Sequence, residues 1–146
     1  MKTSINKNYL NKILTIITVL GFLFATSCTP KISFLTSQVV PAAEGTVKVK
    51  TDNNSNYTIN LQVINLAEPE RLSPAKSVYV VWMETANNGI KNLGQLKTSS
   101  GMFSKTMKSS LETVTAFKPS KIFITAENDA TIQYPGYQVV LSTPAF

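Results

Sequence analysis

Tyr57-Thr58-Ile59-Asn60-Leu61-Gln62-Val63 decides the fold class of this chain. Tyr57, Ile59, Leu61 and Val63 share one parity, and Thr58, Asn60 and Gln62 share the other. Alternation with period two puts the apolar set on one face of an extended strand; helical spacing does not. Just upstream, Thr46-Val47-Lys48-Val49-Lys50-Thr51 repeats the pattern, with Val47 and Val49 set against Lys48 and Lys50. Between the two runs lies Asp52-Asn53-Asn54-Ser55-Asn56, a cluster of turn formers. The pair is therefore predicted as a hairpin with one buried face.

Downstream, residues 67–76 carry Pro69 and Pro74 and read as a loop. Val78-Tyr79-Val80-Val81-Trp82-Met83 is apolar on both parities, which suits a central strand buried on one face and partly covered on the other. Asn88-Gly89 supplies a tight hairpin turn, and Ile90 to Thr98 is the expected returning strand. Ile122-Phe123-Ile124-Thr125-Ala126, entered from Pro119, and Tyr137-Gln138-Val139-Val140-Leu141, entered from Pro135-Gly136, complete the strand set. Signals conflict over residues 101–118. Phe103, Met107, Leu111 and Val114 have helical spacing, whereas Thr106, Thr113, Thr115 and Phe117 favour a strand. The adopted reading is a strand at 102–108 with a turn at Ser109-Ser110. Seven to nine short strands separated by turns predict an all-β protein, an antiparallel immunoglobulin-like β-sandwich. Its expected core contains Val47, Val49, Ile59, Leu61, Val80, Trp82, Ile122, Ile124, Val139 and Leu141.

The N-terminal 28 residues read as an address. Lys2, Lys7 and Lys12 precede the uncharged run Ile13-Leu14-Thr15-Ile16-Ile17-Thr18-Val19-Leu20-Gly21-Phe22-Leu23-Phe24-Ala25, and no acid occurs among them. A basic start, a short apolar run and small residues make a secretory signal. Thirteen helical residues span about 20 Å, short of a ~30 Å hydrocarbon core. The segment Phe24-Ala25-Thr26-Ser27-Cys28 resembles a bacterial lipobox, which implies acylation of Cys28 as the mature N-terminus. The expected organisation is a signal peptide at 1–27, a lipidated N-terminus, tether and edge strand at 28–43, and a β-sandwich domain at 44–146. The expected location is the bacterial cell envelope, on a membrane through the N-terminal lipid and facing the periplasm.

Composition excludes several chemistries. The 146 residues include no His and one Cys, so neither a Ser-His-Asp triad nor a Cys-His pair nor an intrachain disulfide can be built. The chain carries 14 Lys+Arg against 8 Asp+Glu. Three of those cations leave with residues 1–27, so the mature side chains balance at +3. Spread along the sequence, that balance is a soluble basic surface and no nucleic-acid footprint.

Tyr79-Val80-Val81-Trp82-Met83, then Leu93-Gly94, then Ile122 to Glu127, then Pro135, is similar in order to the extracytoplasmic domain of anti-sigma-K factors. In that family an aromatic stands three residues before a Trp, a Leu-Gly follows in the next strand, and a strand ends in Glu before a proline. The resemblance spans about residues 77–142 and implies a sandwich outside the cytoplasm. Glu127-Asn128-Asp129-Ala130-Thr131 replaces the family's Glu-Pro and glycine-rich turn. The family's cytoplasmic domain and membrane helix have no counterpart, so sigma-factor inhibition is not carried over.

The remaining candidates are weak against their ordinary explanations. Trp82 could stack a ligand, but a Trp in a central sandwich strand is ordinarily core, together with Val80, Leu61 and Ile124. Glu127 and Asp129 could offer oxygens to calcium, which needs six to eight of them. Glu68 and Glu70 flank Pro69, but paired catalytic carboxylates must face each other across a cleft. Asn56-Tyr57-Thr58 matches a glycosylation acceptor, of little weight in a bacterial lipoprotein. Met102, Phe103 and Met107 could form an apolar partner surface or simply pack. Ser104-Lys105 and Ser120-Lys121 are adjacent pairs, and neighbours on a strand point to opposite faces. The expectation is a non-enzymatic binding or assembly module with an envelope protein partner and no cofactor or metal. A sensor partner of a membrane-spanning anti-sigma-type regulator is the alternative. A carboxylate-dependent hydrolase ranks below both.

Overall fold

The structure, a computed structural model, describes Asn8, residues 30–100 and residues 107–146. Cys28, Met102, Phe103, Ser104 and Lys105 lie outside the described residues. Among the described residues, nine strands run in the order β1 (Lys31–Ser33), β2 (Glu44–Thr51), β3 (Tyr57–Ile64), β4 (Val78–Thr85), β5 (Gly89–Gln95), β6 (Lys97–Ser100), β7 (Met107–Thr115), β8 (Pro119–Glu127) and β9 (Val139–Ser142). A five-stranded sheet, here sheet A, has the order β1-β2-β3-β7-β6. A four-stranded sheet, sheet B, has the order β5-β4-β8-β9. All pairings are antiparallel. Setting β1 aside, this is the immunoglobulin strand arrangement: four strands in A-B-E-D order face a sheet built around C, F and G.

Sheet A follows directly from alternation. Val47↔Leu61↔Leu111 and Val49↔Ile59↔Thr113 are matched rows. Val47, Ile59, Leu61 and Val63 are buried on the inner face, and Val49 and Leu111 pack against them. The outer face shows Lys48, Lys50, Asn60 and Gln62. The Asp52 turn is closed by its own carboxylate, whose Oδ1 accepts from the backbone N–H groups of Asn54 and Asn56.

Sheet B buries both faces. Tyr79, Val81 and Met83 of β4 and Ile122, Ile124 and Ala126 of β8 join the inter-sheet core, with Val140 and Leu141 of β9. Val80 and Trp82 are also fully buried, but on the opposite face, in a second cluster with Phe123. Residues 128–138 fold over that face and contribute Ala130 and Ile132. The expected core thus divides: Leu61 and Ile124 sit between the sheets, whereas Val80 and Trp82 sit outside sheet B. The reason is strand parity, since β4 is apolar on both and parity alone cannot choose the inner one. Val139 is exposed and Val140 takes the buried place, because the β8–β9 register shifts at Ile124/Thr125.

Three further expectations are corrected. The returning strand from Ile90 is two strands: the chain leaves sheet B after Gln95, and β6 starts in sheet A at Lys97. No turn forms at Ser109-Ser110. These residues lie inside β7, where Ser109 pairs with Val63 and Ser110 with Gln62. Flanking strand-formers and two neighbouring strands outweigh the local turn preference of serine. Only Gly89 of the Asn88-Gly89 pair has positive φ, so the turn is a longer loop closed by Thr85, whose hydroxyl donates to the Gly89 carbonyl. After β1 the chain crosses between sheets. The Leu35 N–H donates to the Ser142 carbonyl, and the Ser37 hydroxyl donates to the Val140 carbonyl at 2.5 Å.

Candidate functional site

The cover on sheet B is pinned at both ends. From β5, the Asn92 side-chain amide donates to the carbonyls of Ala130 (3.0 Å) and Ile132 (2.9 Å). At the other end the Gly136 N–H donates to Glu127 Oε1 at 2.7 Å. A Cβ at Gly136 would stand 2.7 Å from Glu127 Oε2, so a larger residue there must displace that buried carboxylate. Beneath the cover, Trp82 Nε1–H donates to Thr125 Oγ1 at 2.8 Å, and its ring stacks on Phe123 at 6.4 Å between centroids. Trp82 is wholly enclosed and offers no ligand platform.

This folding pushes residues 137–139 to one end of the sandwich, beside residues 38–39 and 71–74. An open groove of about 490 Å³ results there, lined among others by Val39, Arg71, Pro74, Tyr137, Gln138 and Val139. Tyr137 is 83% exposed and Val139 is 44% exposed. Gln138 is buried, and among the described residues its side-chain carbonyl has no hydrogen-bond partner. The Lys76 ammonium lies 5.7 Å from the centre of the Tyr137 ring. Two neighbouring grooves, of about 440 and 570 Å³, are lined by residues of the 33–46 and 67–79 stretches. All three lie towards the end opposite the Asp52 turn.

The acids singled out in the sequence are occupied with structure. Glu127 holds the cover, and Asp129 accepts from the backbone N–H and hydroxyl of Thr131, which hold its carboxyl below the ordinary range. Among the described residues no three metal-ligating side chains converge. Glu68 pairs with Arg71 at 2.8 Å. Glu70 instead bears on Tyr79, whose hydroxyl donates to the Ala67 carbonyl. Burial, then the Glu70 charge, pushes that phenol up to about 12. The two carboxylates thus serve different partners, Arg71 and Tyr79. Ser120 donates to the Glu84 carbonyl, and Lys121 pairs with the Glu84 carboxylate at 3.1 Å, so this pair does not meet either. Asn56 is a turn residue whose side chain donates to Asp52.

Sequence reasoning missed the groove. Tyr137 read as a strand residue because it opens an apolar run; Pro135-Gly136 immediately before it was the available sign of a surface turn. Neither a family model, nor a curated protein, nor a solved structure matches the chain.

Proposed function

We propose that this protein is a lipid-anchored, non-enzymatic envelope protein that acts as a binding or assembly module. In this reading residues 1–27 are removed, Cys28 is acylated, and the sandwich faces the periplasm with its grooved end available to a protein partner. One observation carries the reading: the chain enters β1 from the end of the sandwich opposite the grooves. Lys31, the first residue of β1, pairs with Lys48, and moving back along β1 leads towards Thr51 and the Asp52 turn. Three residues reach at most about 10 Å, so an acyl group on Cys28 holds that end at the membrane. Several acyl chains give firm anchoring at about 0.8 kcal/mol per buried methylene.

The chemistry of the grooved end fits a protein partner. Exposed Tyr137, Arg71 and the apolar Val39, Pro74 and Val139 are side-chain types that concentrate binding energy at protein interfaces. The test is a photo-crosslinking amino acid placed at Tyr137, and separately at Asn54 on the opposite end, in cells fed a fatty-acid probe. A discrete adduct from position 137 alone, with probe on Cys28, is expected. Equal adducts from both positions, or a Cys28→Ser protein that still carries probe, would overturn the reading.

A further inference from the structure

The outer face of sheet A carries a charge pattern that the fold does not use. Cross-strand register puts Lys31, Lys48, Lys50, Lys97 and Lys108 on this face, and all five are exposed. Glu44 and Glu112 are its two carboxylates. Five lysines against two acids leave +3, which equals the side-chain balance of the whole mature chain, so the rest of the molecule is neutral. The two ion pairs among the described residues, Arg71–Glu68 and Lys121–Glu84, involve none of these lysines.

Lys31 and Lys48 stand directly opposite each other across the β1–β2 ladder. Like charges in that position repel and cost stability, whereas an anion between them reverses the sign. The nearest carboxylate along that row, Glu112, accepts from the Asn60 side-chain amide at 3.1 Å. Lys31 and Lys48 instead line a hollow of about 50 Å³ with Thr46, Asn60 and Gln62. A space of roughly 10–15 Å³ holds one water, so this hollow has room for a small oxyanion. Two ammonium groups, a hydroxyl and two amides supply the donors.

We infer that this hollow is a phosphate-binding site, and that its phosphate is the headgroup of an anionic lipid in the leaflet that holds the Cys28 acyl chains. The assignment to a headgroup rests on the anchored reading; the phosphate chemistry does not. Cys28 lies within about 10 Å of Lys31 along the chain, and juxtamembrane lysines are drawn to anionic headgroups. Val114, 61% exposed at the same end of this face, adds an apolar contact. The sandwich then leans the Lys31–Lys48 part of sheet A towards the membrane, and the groove at Tyr137 stays at the far end.

The test uses the full protein purified from membranes and reconstituted into vesicles of phosphatidylcholine alone or mixed equally with phosphatidylglycerol. Amide hydrogen exchange is read across residues 44–50 and 58–62. Slower exchange is expected only on the anionic vesicles, with about fivefold loss of that protection for Lys31→Gln or Lys48→Gln. Lys91→Gln, which removes the same charge from sheet B, should leave it unchanged. Circular dichroism verifies that each variant is folded. Equal exchange on both vesicle types overturns the headgroup assignment. If inorganic phosphate nevertheless shifts the Thr46 and Lys48 amide resonances, the site binds free phosphate instead. If neither probe acts, there is no phosphate site. Wild-type protein without fatty-acid label would sink the anchored reading by itself, and the inorganic phosphate titration would still judge the hollow.

Discussion

Sheet A and sheet B are built from strands of similar length, yet one has a single covered face and the other has two. In sheet A the outer face is mostly polar from β1 to β7, with Val114 exposed on it, and the inner face holds Val47, Ile59, Leu61 and Val63. In sheet B the second face is closed by an eleven-residue excursion, residues 128–138, over Val80, Trp82 and Phe123. The difference separates two tasks. A sheet covered on both sides is a rigid support that can hold the Tyr137-Gln138 segment in place at the start of β9. A sheet open on one side can present a flat charged surface without disturbing its core.

The comparison breaks most readily at Trp82. If the cover over sheet B is as firm as the inter-sheet core, Trp82→Ala should cost about 3–5 kcal/mol, at least as much as Leu61→Ala at about 2–5 kcal/mol. Either loss is a large part of a typical domain's stability. Chemical denaturation of both variants measures it. A Trp82→Ala loss below about 1 kcal/mol would show that the second face is only loosely closed.

Next in size is Gly136→Ala. The added methyl meets the Glu127 carboxylate at 2.7–3.2 Å, and this carboxylate is buried and already bonded to the Gly136 N–H. Overpacking of this kind costs about 1–3 kcal/mol. The loss should fall on the cover, with exchange of the amides at 130–132 quickening while those of β3 stay slow. Uniform quickening across both sheets would show that the cover and the core unfold as one unit.

The two sheets also differ in how far their residues could be read in advance. β2 and β3 were legible because each exposes one face, so Val47, Ile59 and Leu61 could occupy only the inner one. In β4 that constraint is missing. Trp82 was rightly expected to be buried, but the parity that faces sheet A is Tyr79-Val81-Met83, and only the tertiary position of residues 128–138 reveals it. Ser109-Ser110 misled for a related reason: local turn preference was weighed without the two strands that pair with β7. The groove at Tyr137 and the grid of lysines are both assembled from segments distant in sequence. Lys31, Lys48, Lys97 and Lys108 become one face only once the register is known.

A smaller effect sharpens the open side of the comparison. Lys48→Gln relieves the repulsion with Lys31 and buries nothing, so it should leave stability unchanged or raise it by a few tenths of a kcal/mol at low salt. The gain should fade as salt is added. Destabilisation that persists at high salt would mean that the Lys48 stem packs on the sheet and that the face is structural.

The smallest effect sits in one aspartate from each sheet's turns. Asp52 closes the β2–β3 turn, and its carboxyl is held below the ordinary 3.8 first by the Asn56 backbone N–H and then by the Asn56 side chain. Asp129 opens the cover of sheet B and is lowered in the same direction, first by the Thr131 backbone N–H and then by its hydroxyl. A carboxyl whose folded pKa is depressed contributes stability at pH values above its unfolded pKa, and that contribution disappears as pH falls through the folded value. Both turns should therefore hold at neutral pH and loosen only below the ordinary carboxylate range. Carboxyl resonances followed by NMR should give both midpoints below 3.8. Asp52→Asn should remove the acid response of the β2–β3 turn and leave that of residues 129–131 intact, because the two carboxylates serve separate loops. A shared response would show that the cover of sheet B and the hairpin of sheet A are coupled through the core, and that the two sheets do not work as separate parts.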